Sequence, residues 1–240
     1  MRMRNTVVTL TLALLASRVA WAEEPPDKLS LGLSYLATSG NSSSQTAGVD
    51  LAYKHRFDPW GIEAFANFLR AEQTGTLTAK KLFLGVRGTR ALTAELGLFL
   101  EGSYLQDQFA GLDPRLLVAG GATYKLLKGP VHELAFDAGL TWTRDELVDD
   151  GSRSYAGALA AARYVWNISK TAKFTENLSF FPSFEQGSDW RIESQTGLQA
   201  AISTSVALKL TYGFRYANRP VSGFGKTDTQ TAVSLVVNFY

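Results

Sequence analysis

The chain has 240 residues, 45% hydrophobic and 19% charged, and no cysteine, which excludes disulfides, thiolate metal sites and cysteine nucleophiles. Three of its 24 basic residues (Arg2, Arg4 and Arg18) lie in the first 22 positions; without them 21 basic residues face 22 acidic ones. A nearly neutral remainder gives no electrostatic reason to expect nucleic acid as a partner.

The chain opens as an export signal. Met1-Arg2-Met3-Arg4 is basic, Val7 to Ala16 is apolar but too short to span a bilayer, and Ala20-Trp21-Ala22 is a small-x-small cleavage site. We therefore expect a cleaved signal peptide over residues 1–22 and one β-barrel domain over residues 23–240.

Beyond residue 22 the apolar residues recur with period two, the pattern of strands with one greasy face. Leu96, Leu98, Leu100 and Tyr104 alternate with Glu101 and Ser103. Leu134, Phe136, Ala138, Leu140 and Trp142 alternate with Glu133, Asp137 and Thr141. Val206 to Tyr216 and Val233 to Phe239 repeat the pattern. Such runs predict about twelve strands, near 28–38, 45–57, 60–71, 78–90, 94–107, 114–127, 131–144, 153–168, 172–185, 190–202, 205–217 and 227–240. Tyr155–Arg163 is alanine-rich and helical by propensity alone, but its place in the series predicts a strand.

Connections alternate in length. Asp58-Pro59, Ala91-Leu92-Thr93, Lys128-Gly129-Pro130, Ser169-Lys170-Thr171 and Ser203-Thr204 read as tight turns. Ser39–Ser44, Glu72–Leu77, Gln108–Asp113, Asp145–Ser152, Gln186–Asp189 and Asn218–Lys226 read as longer loops, none long enough to fold inward as a plug. Aromatics fall at two levels: Tyr35, Tyr104, Trp142, Phe184, Trp190 and Tyr216 toward the loops, and Phe57, Trp60, Tyr124, Trp166, Phe174 and Phe239 toward the turns. Two girdles, long strands and a terminal aromatic fit a transmembrane antiparallel up-and-down barrel of a bacterial outer membrane. A soluble barrel or sandwich with its apolar face inward is the alternative.

Strand charges fall almost entirely on the polar parity, and their signs alternate from strand to strand. Lys81 and Arg87 precede Glu95, Glu101 and Asp107; Arg115 and Lys125 follow; then come Glu133, Asp137 and Asp145, and then Arg153 and Arg163. Simple hairpin register pairs Asp107 with Arg115, Lys125 with Glu133, and Asp145 with Arg153. Asp50, Lys54, Glu63, Lys209 and Arg215 extend this expected lumen lattice. The lattice either fills and stiffens the lumen or lines a narrow path for ions or small polar solutes. Arg70, Glu72, Arg90, Arg144 and Glu176 break the parity and point outward, mostly near strand ends.

No catalytic, cofactor or metal constellation emerges. His55 and His132 are isolated, on the apolar parity near tight turns, and no nucleophile-elbow pattern accompanies them. Asp145, Glu146, Asp149 and Asp150 form an acidic cluster without EF-hand spacing, which reads as a solvated loop or a cation bridge to lipopolysaccharide.

Several ordered segments resemble the bacterial group called salt-induced outer-membrane proteins. These are Leu33-Ser34-Tyr35 with Thr38-Ser39-Gly40-Asn41-Ser42, Gly120-Gly121-Ala122-Thr123-Tyr124-Lys125-Leu126, Phe174-Thr175-Glu176, Leu208-Lys209-Leu210-Thr211-Tyr212, and Asn218-Arg219-Pro220 leading to Asp228. The resemblance implies an outer-membrane barrel and, by its name, a link to salt stress, without an established activity. One departure is that the outward parity closes on Phe239, one residue before the terminal Tyr240. The expectation is a non-enzymatic protein of the bacterial outer membrane. Its partners are membrane lipids, lipopolysaccharide and the barrel-assembly machinery, which reads the last strand. It acts either as a narrow channel or osmotic envelope protein, or as a closed structural barrel.

Overall fold

The computed structural model describes residues 27–38, 44–148 and 151–239. The expected signal peptide, Glu23-Glu24-Pro25-Pro26, residues 39–43, Asp149, Asp150 and Tyr240 lie outside the described residues. Twelve strands are present: β1 (Asp27–Thr38), β2 (Ser44–Phe57), β3 (Trp60–Gln73), β4 (Thr76–Ala91), β5 (Leu96–Asp107), β6 (Leu112–Lys128), β7 (His132–Leu147), β8 (Ser152–Asn167), β9 (Ala172–Pro182), β10 (Trp190–Ala201), β11 (Val206–Ala217) and β12 (Thr227–Phe239). Each pairs antiparallel with its sequence neighbours, and β1 pairs with β12, so the sheet closes into an up-and-down barrel without free edges. The alanine-rich run Tyr155–Arg163 lies within β8, where cross-strand pairing on both sides overrides helical propensity.

Period two sets which way each side chain looks. Along β7, Leu140 is 66% exposed on the outer surface, whereas Asp137, Thr141, Thr143 and Asp145 on the other parity are buried in the lumen. Leu33, Val49, Val86, Leu100, Val118, Leu198 and Val233 repeat the outward pattern around the ring. The exterior is thus a continuous apolar surface, far beyond what water-exposed faces of soluble monomers carry. A fold with that face packed inward is excluded.

Short turns are built from sequence. At three of them a hydroxyl accepts two backbone N–H groups: Thr93 from Glu95 and Leu96 (3.2 and 3.0 Å), Ser169 from Thr171 and Ala172 (3.2 and 3.0 Å), and Ser203 from Ser205 and Val206 (3.3 and 3.1 Å). Such side-chain bonds satisfy donors that have no ladder partner. In the first turn the Lys128 ammonium also binds Glu95 and holds its carboxyl below the usual carboxylate range.

The other end differs from expectation in two places. Glu72–Leu77 is not a long loop: Thr74 and Gly75, with φ of 51° and 77°, make a two-residue turn between β3 and β4, and an irregularity at Ala71/Glu72 absorbs the rest. Nor do all loops stay clear of the lumen. After β5 a single 3₁₀ turn, Gln108–Ala110, leads to Gly111 at φ 76°, so close to the β11–β12 loop that a Cβ there would lie 2.8 Å from both Val221 and Phe224. Length misjudged the loops because two short segments from opposite walls meet where one alone could not reach.

Candidate functional site in the barrel lumen

Inward side chains of β4 to β8 build a buried network at mid-height. Arg87 donates to Glu101 (3.0 Å), to the Thr123 hydroxyl (3.1 Å) and to Asp137 (2.9 Å), while Arg163 and Thr123 donate to the other Asp137 oxygen (3.1 and 2.6 Å). The Arg87 guanidinium lies 4.0 Å over the Phe99 ring. One arginine on β4 therefore ties together residues of β5, β6 and β7, and its partner Asp137 extends the tie to β8.

A second network fills the loop end. Asp145, fully buried, accepts two bonds from Arg115 (2.6 and 2.8 Å) and one from Arg153 (3.0 Å), and Arg153 reaches on to Asp189 at 3.3 Å. Arg191 donates to Glu193 (3.2 Å) and to the Tyr155 hydroxyl (3.3 Å), with its plane 4.0 Å over Phe181. Arg215 binds Asp228 at 2.8 Å and lies 3.8 Å from Asp107. Strands β5 and β11 are six positions apart in the ring of twelve, the largest separation possible. The Arg215–Asp107 pair therefore crosses the mouth, directly beneath the contact of Gly111 with the β11–β12 loop.

The facing pair Asp145–Arg153 stands opposite in register. The other two expected pairs are corrected. A bulge between Leu105 and Asp107 sets Asp107 opposite Leu112 and Arg115 opposite Leu105, so Arg115 turns to Asp145 and Asp107 to Arg215. A second bulge between Lys125 and Leu127 sets Glu133 opposite Lys128 and Lys125 opposite Ala135. A bulge moves every later partner by one residue, which hairpin counting cannot see. On the far wall Lys54 bridges Glu63 at 3.1 Å and Asp50 accepts from Asn67 at 2.6 Å. Among the described residues Lys81, Lys125, Glu133 and Lys209 make no ion pair within 4.0 Å. The lattice is thus two dense networks and a sparse remainder, not an even ring.

Sequence reading missed the apolar part of the lumen. Phe99, Leu117, Ala119 and Leu159 form a buried cluster on the inward parity, with Ala161 and Phe181 packed against it. The cluster joins residues of β5, β6 and β8 inside the barrel, with Phe181 of β9 at its margin. The signal was present, since Phe99, Leu105 and Leu117 break the alternation, but isolated apolar residues on a polar face carry little weight alone.

The outward charges find local partners. Arg70 pairs with Glu72, Arg144 with Glu146 at 3.3 Å, and Arg90 lies 5.1 Å over the Trp60 ring. Glu176 accepts from Ser194 (2.7 Å) and Thr196 (2.5 Å). His55 lies between Tyr53 and Phe57 with Asp27 2.6 Å from Nδ1, and His132 between Tyr164 and Trp166 with the Tyr164 hydroxyl 2.8 Å from Nδ1. Both belong to the aromatic level at the turn end.

A curated relative, "Uncharacterized protein YdiY" of Escherichia coli (strain K12), is 29% identical over 213 residues, covering 88% of this chain and 82% of the relative. Solved structures of similar shape include the translocator domain of autotransporter NalP from Neisseria meningitidis (TM-score 0.48, 9% identity, covering 91% and 89% of the two chains). The COG4313 outer membrane channel from Pseudomonas putida F1 has a TM-score of 0.49 and 15% identity, covering 89% and 94%. KdgM porin in complex with disordered oligogalacturonate has a TM-score of 0.49 and 10% identity, covering 88% and 99%. The family model described as "Protein of unknown function, DUF481" matches residues 31–239, and the chain belongs to that family.

Proposed function

We propose that this protein is an outer-membrane β-barrel that passes ions or small polar solutes through a lumen held shut at its loop end. The observation that carries this reading is the division of the wall into an exterior of exposed leucine, valine and aromatic side chains and an interior of paired charges. The exterior suits acyl chains, and the two aromatic levels suit the headgroup boundaries. The shorter turns and both termini then face the periplasm, and lipopolysaccharide and the assembly machinery are the partners. The reading is non-enzymatic: both histidines serve the aromatic level at the turn end.

The lumen is not equally full along its length. At the turn end a cavity of about 420 Å³, bordered by Asn167, Lys173, Gln199 and Asn238, opens between the turns. At the loop end the Arg215–Asp107 pair and the loop contact above it close the path. This closure is the specific observation favouring a second reading, a sealed structural barrel that supports envelope integrity. The salt response implied by the resembled group would act on the closure, because ion pairs weaken as salt screens them.

Single-channel recording of the refolded protein in planar bilayers separates the two. Discrete openings that become more frequent with salt, and more frequent again in Asp107→Asn, support the channel. Silence from correctly folded wild type and Asp107→Asn alike leaves the sealed barrel.

A further inference from the structure

A small cavity of about 30 Å³ lies beside the closure, with room for about two waters or one small anion. Five arginines border it: Arg115, Arg153, Arg191, Arg215 and Arg219, while Asp228 is its single acidic neighbour. We propose that this cavity is a binding site for a small oxyanion, such as sulfate, phosphate or a single carboxylate group, entering from the loop-side medium. The site stands whether or not the barrel conducts.

The arginines differ in how they are held. Arg115 is spent on Asp145 and Arg153 on Asp145 and Asp189. Arg191 is fixed as a rigid plane by Glu193, Tyr155 and the Phe181 ring. Arg215 is anchored through Nε and Nη2 to Asp228, and its Nη1 is buried without any hydrogen-bond partner. A buried charged donor left unpaired costs more than the bond it lacks, so it calls for an acceptor. Arg219 extends from the β11–β12 loop, is exposed, and makes no ion pair among the described residues.

Charge favours the same occupant. With Lys81, opposite Asp107 in the β4–β5 register, six basic side chains gather at this level against Asp107, Asp145, Asp189, Glu193 and Asp228. Of these acids only Asp228 borders the cavity, against the five arginines. Guanidinium forks match oxyanions in geometry and remain charged at any working pH. Lipid headgroups lie outside the wall, so the occupant is a solute.

Calorimetric titration of the detergent-refolded barrel with sodium sulfate, at ionic strength fixed with sodium chloride, tests the site. Saturable sulfate binding is expected, weakened roughly tenfold in Arg219→Gln by loss of one charge-assisted bond, and more in Arg191→Gln. Arg90→Gln, on the outer wall over Trp60, should bind as wild type. Absence of saturable binding, or Arg219→Gln binding sulfate as tightly as wild type, overturns the proposal. The exposed position of Arg219 makes that variant decisive even if Arg191→Gln fails to fold.

Discussion

Truncating Arg87 to alanine removes the hub of the mid-height network. The side chain is 5% exposed, and its loss deletes three hydrogen bonds and the contact with Phe99. Breaking a buried pair by deleting one partner costs about 3 to 5 kcal/mol, because the survivor stays charged and dry. Here Asp137 keeps Arg163 and Thr123, and Glu101 is 23% exposed and reachable by water, so the expected loss is near the lower bound, about 3 kcal/mol. Arg87→Lys, which keeps the charge but not the fork, should recover part of it. The assay is reversible urea unfolding in lipid vesicles, followed by the fluorescence of Trp60, Trp142, Trp166 and Trp190. In the Arg87→Ala/Asp137→Ala cycle the two losses should couple by about 1 to 3 kcal/mol. A single-variant loss under about 1 kcal/mol, or strict additivity in the cycle, would refute the view that this network ties the wall together.

Leu140→Arg or Leu100→Arg places a charge midway up the apolar exterior and should cost about 2 to 4 kcal/mol in vesicles, whereas Tyr35→Arg, at the loop-side rim, should cost about 1 kcal/mol or less. Equal costs in the same urea assay would contradict the membrane orientation. Gly121→Val should abolish the folded, heat-modifiable band on a gel, because even a Cβ there would lie 2.1 Å from the Ala138 carbonyl oxygen, while Gly102→Ala, with nothing within 4 Å, should stay within about 0.5 kcal/mol of wild type. Substituting His55 and His132 by alanine should leave lipid hydrolysis at the background of wild type, since each ring is engaged in aromatic stacking at the turn end; a measurable activity lost with either ring would contradict the non-enzymatic reading.

The strands were legible because one constraint repeats: a wall between lipid-like and aqueous surroundings forces period two on nearly every residue. Val206 to Tyr216 announces β11 without help from any other segment. The interior was less legible because its constraints are long-range. Nothing local distinguishes Phe99 or Leu117, on the polar parity, from a residue facing water; Leu159, of the same cluster, lies far along the chain. The pairing of Arg215 with Asp107 joins opposite walls and is invisible to any reading of neighbouring hairpins. The bulges at Leu105/Asp107 and Lys125/Leu127 shifted two of three hairpin pairs, although every strand itself was placed to within about three residues.

The uneven filling of the lumen says where it would open. Along β4 to β8 the charges are buried, multiply bonded and mixed with an apolar cluster, so neither moderate salt nor a small solute can displace them. Along β2 and β3 the pair Lys54–Glu63 is solvated, with Lys54 59% exposed, and contributes about 0 to 1 kcal/mol. On the channel reading the weakly held β2–β3 side is therefore where the lumen is least obstructed. Beneath the loop contact of Gly111, the loop end is barred by the Arg215–Asp107 pair, whose 3.8 Å separation is the longest among the ion pairs of the described residues and whose Arg215 is held more closely by the half-exposed Asp228. The Arg215 and Asp107 side chains are 16% and 14% exposed, so salt screens this pair less than the solvated Lys54–Glu63 pair. On the channel reading this long contact yields before the shorter, multiply bonded pairs of the mid-height network, which keep the wall in shape.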